Sequence, residues 1–162
     1  WKKTTLCVSM TCMGGLELQS NETHGNRTRM ERLNERSADF LKASQRLSEA
    51  CAQPLDSFIR DSVIQRFEFC WELAWKTLKL RLEMLGVVAL NPRDVFKEAL
   101  VAGLIHDGNT WSEAQRMRNL SSHTYDEKLA DQVYGFVKNR GDLLFQELAN
   151  EVRQEISGTE AI

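Results

Sequence analysis

The densest collection of chemically useful side chains is Arg118-Asn119-Leu120-Ser121-Ser122-His123-Thr124-Tyr125-Asp126. This short segment gathers a permanent cation, an amide, hydroxyls, an imidazole and a phenol, a set suited to a phosphodiester. The planar fork of an arginine can hold two phosphate oxygens and offset charge in the transition state. A histidine can move a proton near neutral pH. Together they could promote attack of an RNA 2′-hydroxyl on its neighbouring phosphate without a metal. A plainer reading pairs Arg118 with Asp126 or Glu127 and makes His123 a helix-end cap. Arg-x4-His spacing recurs often by chance, so the residues alone leave both readings open.

Helical spacing must position these groups. Thr110-Trp111-Ser112-Glu113 has the capping-box pattern and starts a helix that lasts to about Ser121. On it Arg118 lies seven residues after Trp111, within about 20° of the same face, and Asn119 and His123 share the adjacent face. Thr124-Tyr125-Asp126-Glu127 is expected to cap a last long helix reaching about Ile156. Its stripe is Leu129, Val133, Phe136/Val137, Leu144, Leu148 and Val152, with Gly135 and Gly141 as weak points.

Three further helices precede these. The first is expected from about Glu31 to Ala52, with Leu33, Ser37, Phe40, Ser44, Leu47 and Cys51 on one stripe. The second follows Pro54, with Asp56 as N-cap, and ends at Gly86. Its polar stripe is Asp61, Gln65, Glu68, Glu72, Lys76, Lys79 and Glu83, and the remaining apolar arc is wider than one neighbour covers. That helix sits centrally in a bundle, faces a partner chain, or both. Phe67, Phe69, Trp71 and Trp75 on it read as core or dimer packing rather than base stacking. Asn91-Pro92-Arg93-Asp94 opens a short third helix that ends near Gly103. His106 reads as a surface loop residue, and Asp107 as one that could approach the site across a dimer. No segment alternates with period two for long enough to be a strand. The expectation is an all-α, antiparallel up-down bundle of four-helix type.

Composition narrows the function classes. The chain has 162 residues, a net charge of −2, two prolines and nine glycines, which suits one helical domain without a broad basic coat for nucleic acid. No apolar run approaches the roughly 18 residues that span a bilayer, and no secretory signal is legible. The four cysteines lack paired CxxC spacing, which fits free thiols in a reducing cytoplasm. Phosphate-loop, GxSxG, HExxH and EF-hand patterns are missing, as are the Glu-x-x-His pairs of a di-iron bundle. No metal or cofactor is therefore expected. Residues 1–29 lack sustained periodicity and read as a disordered, non-native or mis-called leader, with Met30 the natural start, a bundle over 30–157 and a tail at 158–162.

Arg118-x4-His123-x-Tyr125 resembles the Arg-x4-6-His signature of HEPN domains and its extended Arg-x4-His-x-Tyr form. Ile64 through Lys76 and Trp111 through Tyr125 are similar to the nucleotidyltransferase substrate-binding proteins, a HEPN subfamily, and the likeness covers about residues 30–156. The resemblance implies an all-α bundle that dimerises and forms a complex with a minimal nucleotidyltransferase encoded beside it. In one branch it implies a metal-independent ribonuclease toxin, silenced when that enzyme transfers AMP to the motif tyrosine. Carried over, Arg118 and His123 are catalytic, Asn119 supports them, and Tyr125 accepts AMP. Trp111 and Asp126 match the pattern without an assigned role. The older name of the subfamily implies instead a non-catalytic subunit that presents a substrate to the transferase.

Overall fold

Helix signals in the sequence translate into six α-helices among the described residues. The computed structural model describes the backbone of residues 16–159 and the side chains of residues 28–157. Helix α1 spans Leu16–Cys51, α2 Ser57–Met84, α3 Pro92–Val101 and α4 Gly108–Leu120. A 3₁₀ turn, Ser121–His123, leads towards α5, Glu127–Phe136, which continues through a π-helical segment at Val137–Gly141 into α6, Asp142–Thr159. Among the described residues there is no strand, and no helix is long and apolar enough to cross a membrane.

Cross-helix bonds give the topology. At the start of α2, Arg60 bonds Glu127 and Asp131 near the start of α5, and at its end Arg81 pairs with Glu155 near the end of α6. Helix α2 and the α5–α6 rod therefore run in the same direction. The carbonyl of Arg36 in α1 accepts from Thr77 late in α2, while Ser48, late in α1, donates to Asp142 at the start of α6. Helix α1 thus runs against both. Glu113, early in α4, pairs with Arg140, and Arg118, at the end of α4, reaches back to Glu68, so α4 runs against α2 and the rod. The result is the expected up-down bundle, with α3 bridging α2 and α4.

Helix α2 is the centre of that arrangement. Val63, Ile64, Phe67, Cys70, Trp71, Ala74, Leu78 and Leu82 are all buried, and α1, α3, α4, α5 and α6 all pack on it. Five aromatic rings close a circuit around it. Phe67 meets Phe145 of α6 at 6.0 Å, Phe145 meets Trp111 of α4 at 5.6 Å, and Trp111 stacks on Phe96 of α3 at 4.7 Å. Phe96 returns to Trp71 of α2 at 5.8 Å. Each such pair contributes roughly 0.5–1.5 kcal/mol beyond the area it buries. Phe69, expected in the core or a dimer contact, is not part of the core and leaves 56% of its surface exposed.

Element ends differ in instructive ways. Asp56 accepts from the Ile59 amide at 2.7 Å and Asn91 from the Asp94 amide at 3.0 Å, as their sequence positions require. Gly86 and Gly103 take φ +76° and +72°, the left-handed conformation that ends a helix without a Cβ clash. Helix α4 begins before Thr110, because Asp107 caps it: its carboxylate accepts from both the amide and the hydroxyl of Thr110. The Thr110 hydroxyl is thereby used up, and Glu113 turns to Arg140 instead of closing a capping box. Helix α5 is capped by Asp126, within the expected Thr124–Glu127 segment, through the Lys128 amide at 2.9 Å. The last helix is not regular throughout: its π segment ends at Gly141, where a Cβ would stand 3.2 Å from the Phe136 ring. Helix α1 starts at Leu16, upstream of the expected Glu31, and α6 runs to Thr159. Residues 16–29 are thus helical where disorder was expected; no proline interrupts them, and each added residue extends an existing helix at the cost of ordering one residue. Residues 1–15 lie outside the described residues.

Burial also sets the thiol chemistry. Desolvation, with the Asp142 carboxylate adding to it, pushes Cys51 from 9.0 up to about 11, and pushes Cys70 well above the ordinary thiol range. Both thiols are free and stay protonated at neutral pH. Neither should be alkylated in the native protein at about pH 8, as read by site-resolved mass spectrometry. The raised value of Cys51 favours the folded state fully below pH 9.0, and that contribution is lost as pH rises through about 11. The denaturation midpoint should therefore fall across this window, and fall less in Cys51→Ala. Labelling at the rate of a free cysteine, or equal pH profiles for the two proteins, would contradict the account.

Candidate functional site

Two consecutive elements and one supporting helix build the site. Arg118 sits in the last turn of α4, where the negative end of the helix dipole favours a cation. His123 closes the 3₁₀ turn that follows, and Tyr125 lies just before the Asp126 cap of α5. The polar stripe of α2 passes beneath, presenting Glu68 and Glu72.

Arg118 is half-buried, at 28% exposure, and held on three sides. Its Nη1 is 3.3 Å from Glu68 Oε1 and its Nη2 4.0 Å from Glu72 Oε1. The guanidinium carbon lies 6.0 Å from the centre of the Trp71 ring, in cation–π range. Nε is buried without a hydrogen-bond partner, so the guanidinium is oriented by its two Nη groups and the ring below. Glu68 also accepts a hydrogen bond from Ser121 Oγ, which lies 2.8 Å from the Arg118 carbonyl oxygen. Glu72 is shared further, with Trp75 Nε1 at 3.1 Å and Lys76 Nζ at 3.2 Å. The longer of the two Arg118 contacts therefore goes to Glu72, the carboxylate with two further partners.

His123 and Tyr125 form a separate, exposed pair. The rings meet edge to face at 5.9 Å, and Tyr125 Oη is 3.5 Å from His123 Nδ1, at the outer limit of a hydrogen bond. Where Nδ1 accepts from that hydroxyl, the proton resides on Nε2. Tyr125 leaves 86% of its surface exposed, and Asn119 is exposed as well. Among the described residues no hydrogen bond, ion pair or ring contact joins Arg118 directly to His123.

The local pairs of the plainer reading do not form. Glu127 is held by Arg60, Asp126 caps α5, and the His123 imidazole faces outward instead of capping a helix. Trp111 is 2% exposed and belongs to the aromatic circuit. Asp107 is committed to capping α4 and His106 is exposed. The sequence reading missed Glu68, Glu72 and Ser121 as neighbours of Arg118. A signal for them existed: two acids four residues apart on the one polar stripe of an otherwise apolar helix must face something polar. Among the described residues no three His, Cys, Asp or Glu side chains gather as a metal site would require.

Residues 35–154 match the family described as "Nucleotidyltransferase substrate binding protein like". A Haemophilus influenzae protein named probable ribonuclease HepT is 38% identical over 87 residues, 48% of this chain. The match spans 60% of that relative's length. A solved protein from Thermus thermophilus superposes with a TM-score of 0.60 at 30% identity, covering 70% of this chain and 95% of that one. A solved Haemophilus influenzae protein, described as revealing the fold of a substrate binding domain of a nucleotidyltransferase, gives the same TM-score and identity, covering 75% and 98%.

Proposed function

This chain belongs to the nucleotidyltransferase substrate-binding family, and on that basis we propose that it is the metal-independent ribonuclease half of a toxin–antitoxin pair, working beside a minimal nucleotidyltransferase. The observation that carries this reading is the accessibility of a fixed arginine and an imidazole at one helix junction: Arg118 is 28% exposed and His123 is exposed. The relative named probable ribonuclease HepT supports it.

The reaction is attack of a ribose 2′-oxygen on the adjacent phosphorus. The O2′–P bond forms, the P–O5′ bond breaks, one proton leaves the 2′-hydroxyl and another reaches the departing 5′-oxygen. His123 serves as base or acid, and Arg118 neutralises charge on the non-bridging oxygens. Nη2 of Arg118, 4.0 Å from Glu72, is the arm a phosphate oxygen can take without displacing Glu68. Asn119, exposed on the same helix end, supports the phosphate. A two-fold homodimer supplies the second proton-transfer group as another copy of His123. The apolar residues Phe58 and Phe69, 84% and 56% exposed on α2, support such a dimer.

His123→Ala and Arg118→Ala should each lower cleavage of single-stranded RNA by about 10²–10⁴-fold while leaving the melting temperature close to wild type. Cleavage should survive EDTA and fail on DNA, which lacks the nucleophile. If the purified wild-type protein cuts no RNA, the ribonuclease reading fails.

Tyr125 is the proposed control point. It leaves 86% of its surface exposed two residues from His123, and its hydroxyl, held only by a 3.5 Å contact with His123 Nδ1, would accept an AMP group from the partner enzyme. The added anion would compete with RNA phosphate for Arg118. Co-incubation with the nucleotidyltransferase, ATP and Mg²⁺ should produce AMP-sized mass additions that vanish in Tyr125→Phe. Additions at other residues would contradict this assignment. The second reading, a non-catalytic substrate-binding subunit, is favoured by one feature: Arg118 already faces two carboxylates, an arrangement suited to holding a ligand loosely. It predicts binding without turnover.

A further inference from the structure

The turn that carries His123 has little packing of its own. Within residues 121–126 only Ser121 is buried, and Ser122, His123, Tyr125 and Asp126 are exposed. Polar ties to α2 hold it, one at each end. At the upstream end Glu68 accepts from Ser121 Oγ and pairs with Arg118, across 53 residues of chain in the first case. At the downstream end Arg60 Nη1 bonds Glu127 Oε2 at 2.5 Å and Asp131 Oδ1 at 2.9 Å, across 67 and 71 residues. Arg60 is 14% exposed whereas its partners are 77% and 69% exposed, so the guanidinium is anchored in the bundle and the carboxylates reach to it. Their hydrogen bonds hold it more firmly protonated than an ordinary arginine. Arg60 and Glu68 lie about two turns apart on α2, roughly 12 Å along the axis.

We propose that Arg60 and Glu68 are positioning residues, a two-point clamp by which α2 fixes both ends of the His123 turn and keeps the imidazole in register with Arg118. The proposal rests on the ribonuclease reading for its catalytic consequence, and on geometry alone for the clamp. The carboxylates of both ties reach solvent, at 77%, 69% and 29% exposure, and ion pairs screened in this way contribute little to global stability, so releasing either end should leave the bundle folded. A turn without apolar anchors then loosens locally, and small displacements of a catalytic group are costly to rate.

The test uses the full chain with Arg60→Met, Arg60→Lys, Glu68→Ala and Glu68→Gln. Hydrogen–deuterium exchange over residues 121–126 should rise about tenfold or more in Arg60→Met and Glu68→Ala, with buried α2 and α6 amides unchanged. On a single-stranded RNA oligonucleotide kcat should fall by about 10- to 100-fold, with KM little changed. Arg60→Lys keeps a cation and Glu68→Gln keeps an acceptor, so both should recover most of the loss. Unchanged exchange over the turn in both Arg60→Met and Glu68→Ala overturns the clamp. So does faster exchange throughout the bundle, which marks a general structural role. A looser turn with undiminished kcat overturns the positioning role. If the wild-type protein cuts no RNA, the ribonuclease reading is what fails, and the exchange result alone decides the clamp.

Discussion

The burial demand of α2 governs the rest of the molecule. A 28-residue helix with apolar side chains on most of its circumference cannot be satisfied by one neighbour, so α1, α3, α4, α5 and α6 must all close around it. The aromatic circuit through Phe67, Phe145, Trp111, Phe96 and Trp71 begins and ends on α2, which fixes the height at which α4 and α6 dock. With Trp111 locked into that circuit, Arg118 two turns later has one place to go. It lands on the narrow polar stripe, over Trp71 and between Glu68 and Glu72.

This placement balances two requirements. A lone arginine on a mostly apolar helix junction would be held poorly, and its flexible side chain would lose entropy on binding a phosphate. Carboxylates at 3.3 and 4.0 Å orient it in advance and, in the proposed ribonuclease function, would compete with the RNA phosphate. Competition is tolerable because the Glu72 contact is long and Glu72 is shared with Trp75 and Lys76. A similar division appears in the turn that follows: its ends are tied to α2, while His123 and Tyr125 stay outside, reachable by a polymer or by a modifying enzyme. Elsewhere α2 closes the opposite end of the bundle with a different device, the buried Arg81 paired to Glu155, whose charged form is disfavoured by desolvation.

Much of the fold was legible because its signals are local. Asp56, Gly86, Asn91-Pro92 and Gly103 mark helix ends by their own backbone chemistry, and the structure uses each as read. Stripes such as Ser37, Phe40, Ser44, Leu47 and Cys51 also needed only helical spacing. The misreadings occur where two local signals compete. Thr110 is a credible cap, yet Asp107 is the stronger acceptor and takes the position. The stretch around Gly141 gave a weak point but not a π segment, since that depends on how Phe136 must pack. At the site, Arg118, His123 and Tyr125 stood out by residue type and spacing. Glu68 did not, because it meets both Arg118 and Ser121 only across some fifty residues of chain, and the role of Ser121 depends on that carboxylate.

In the proposed function, Arg118 and His123 drive attack by the RNA 2′-hydroxyl itself. The chemical ends of the cleaved RNA report this directly, through mass spectrometry of products from a defined oligonucleotide. Attack by the 2′-oxygen leaves a 2′,3′-cyclic phosphate, or the 3′-phosphate formed on its hydrolysis, on one fragment and a 5′-hydroxyl on the other. Those ends are the result expected here. Fragments carrying a 3′-hydroxyl and a 5′-phosphate would mean that water is the nucleophile, and would contradict the roles assigned to both residues.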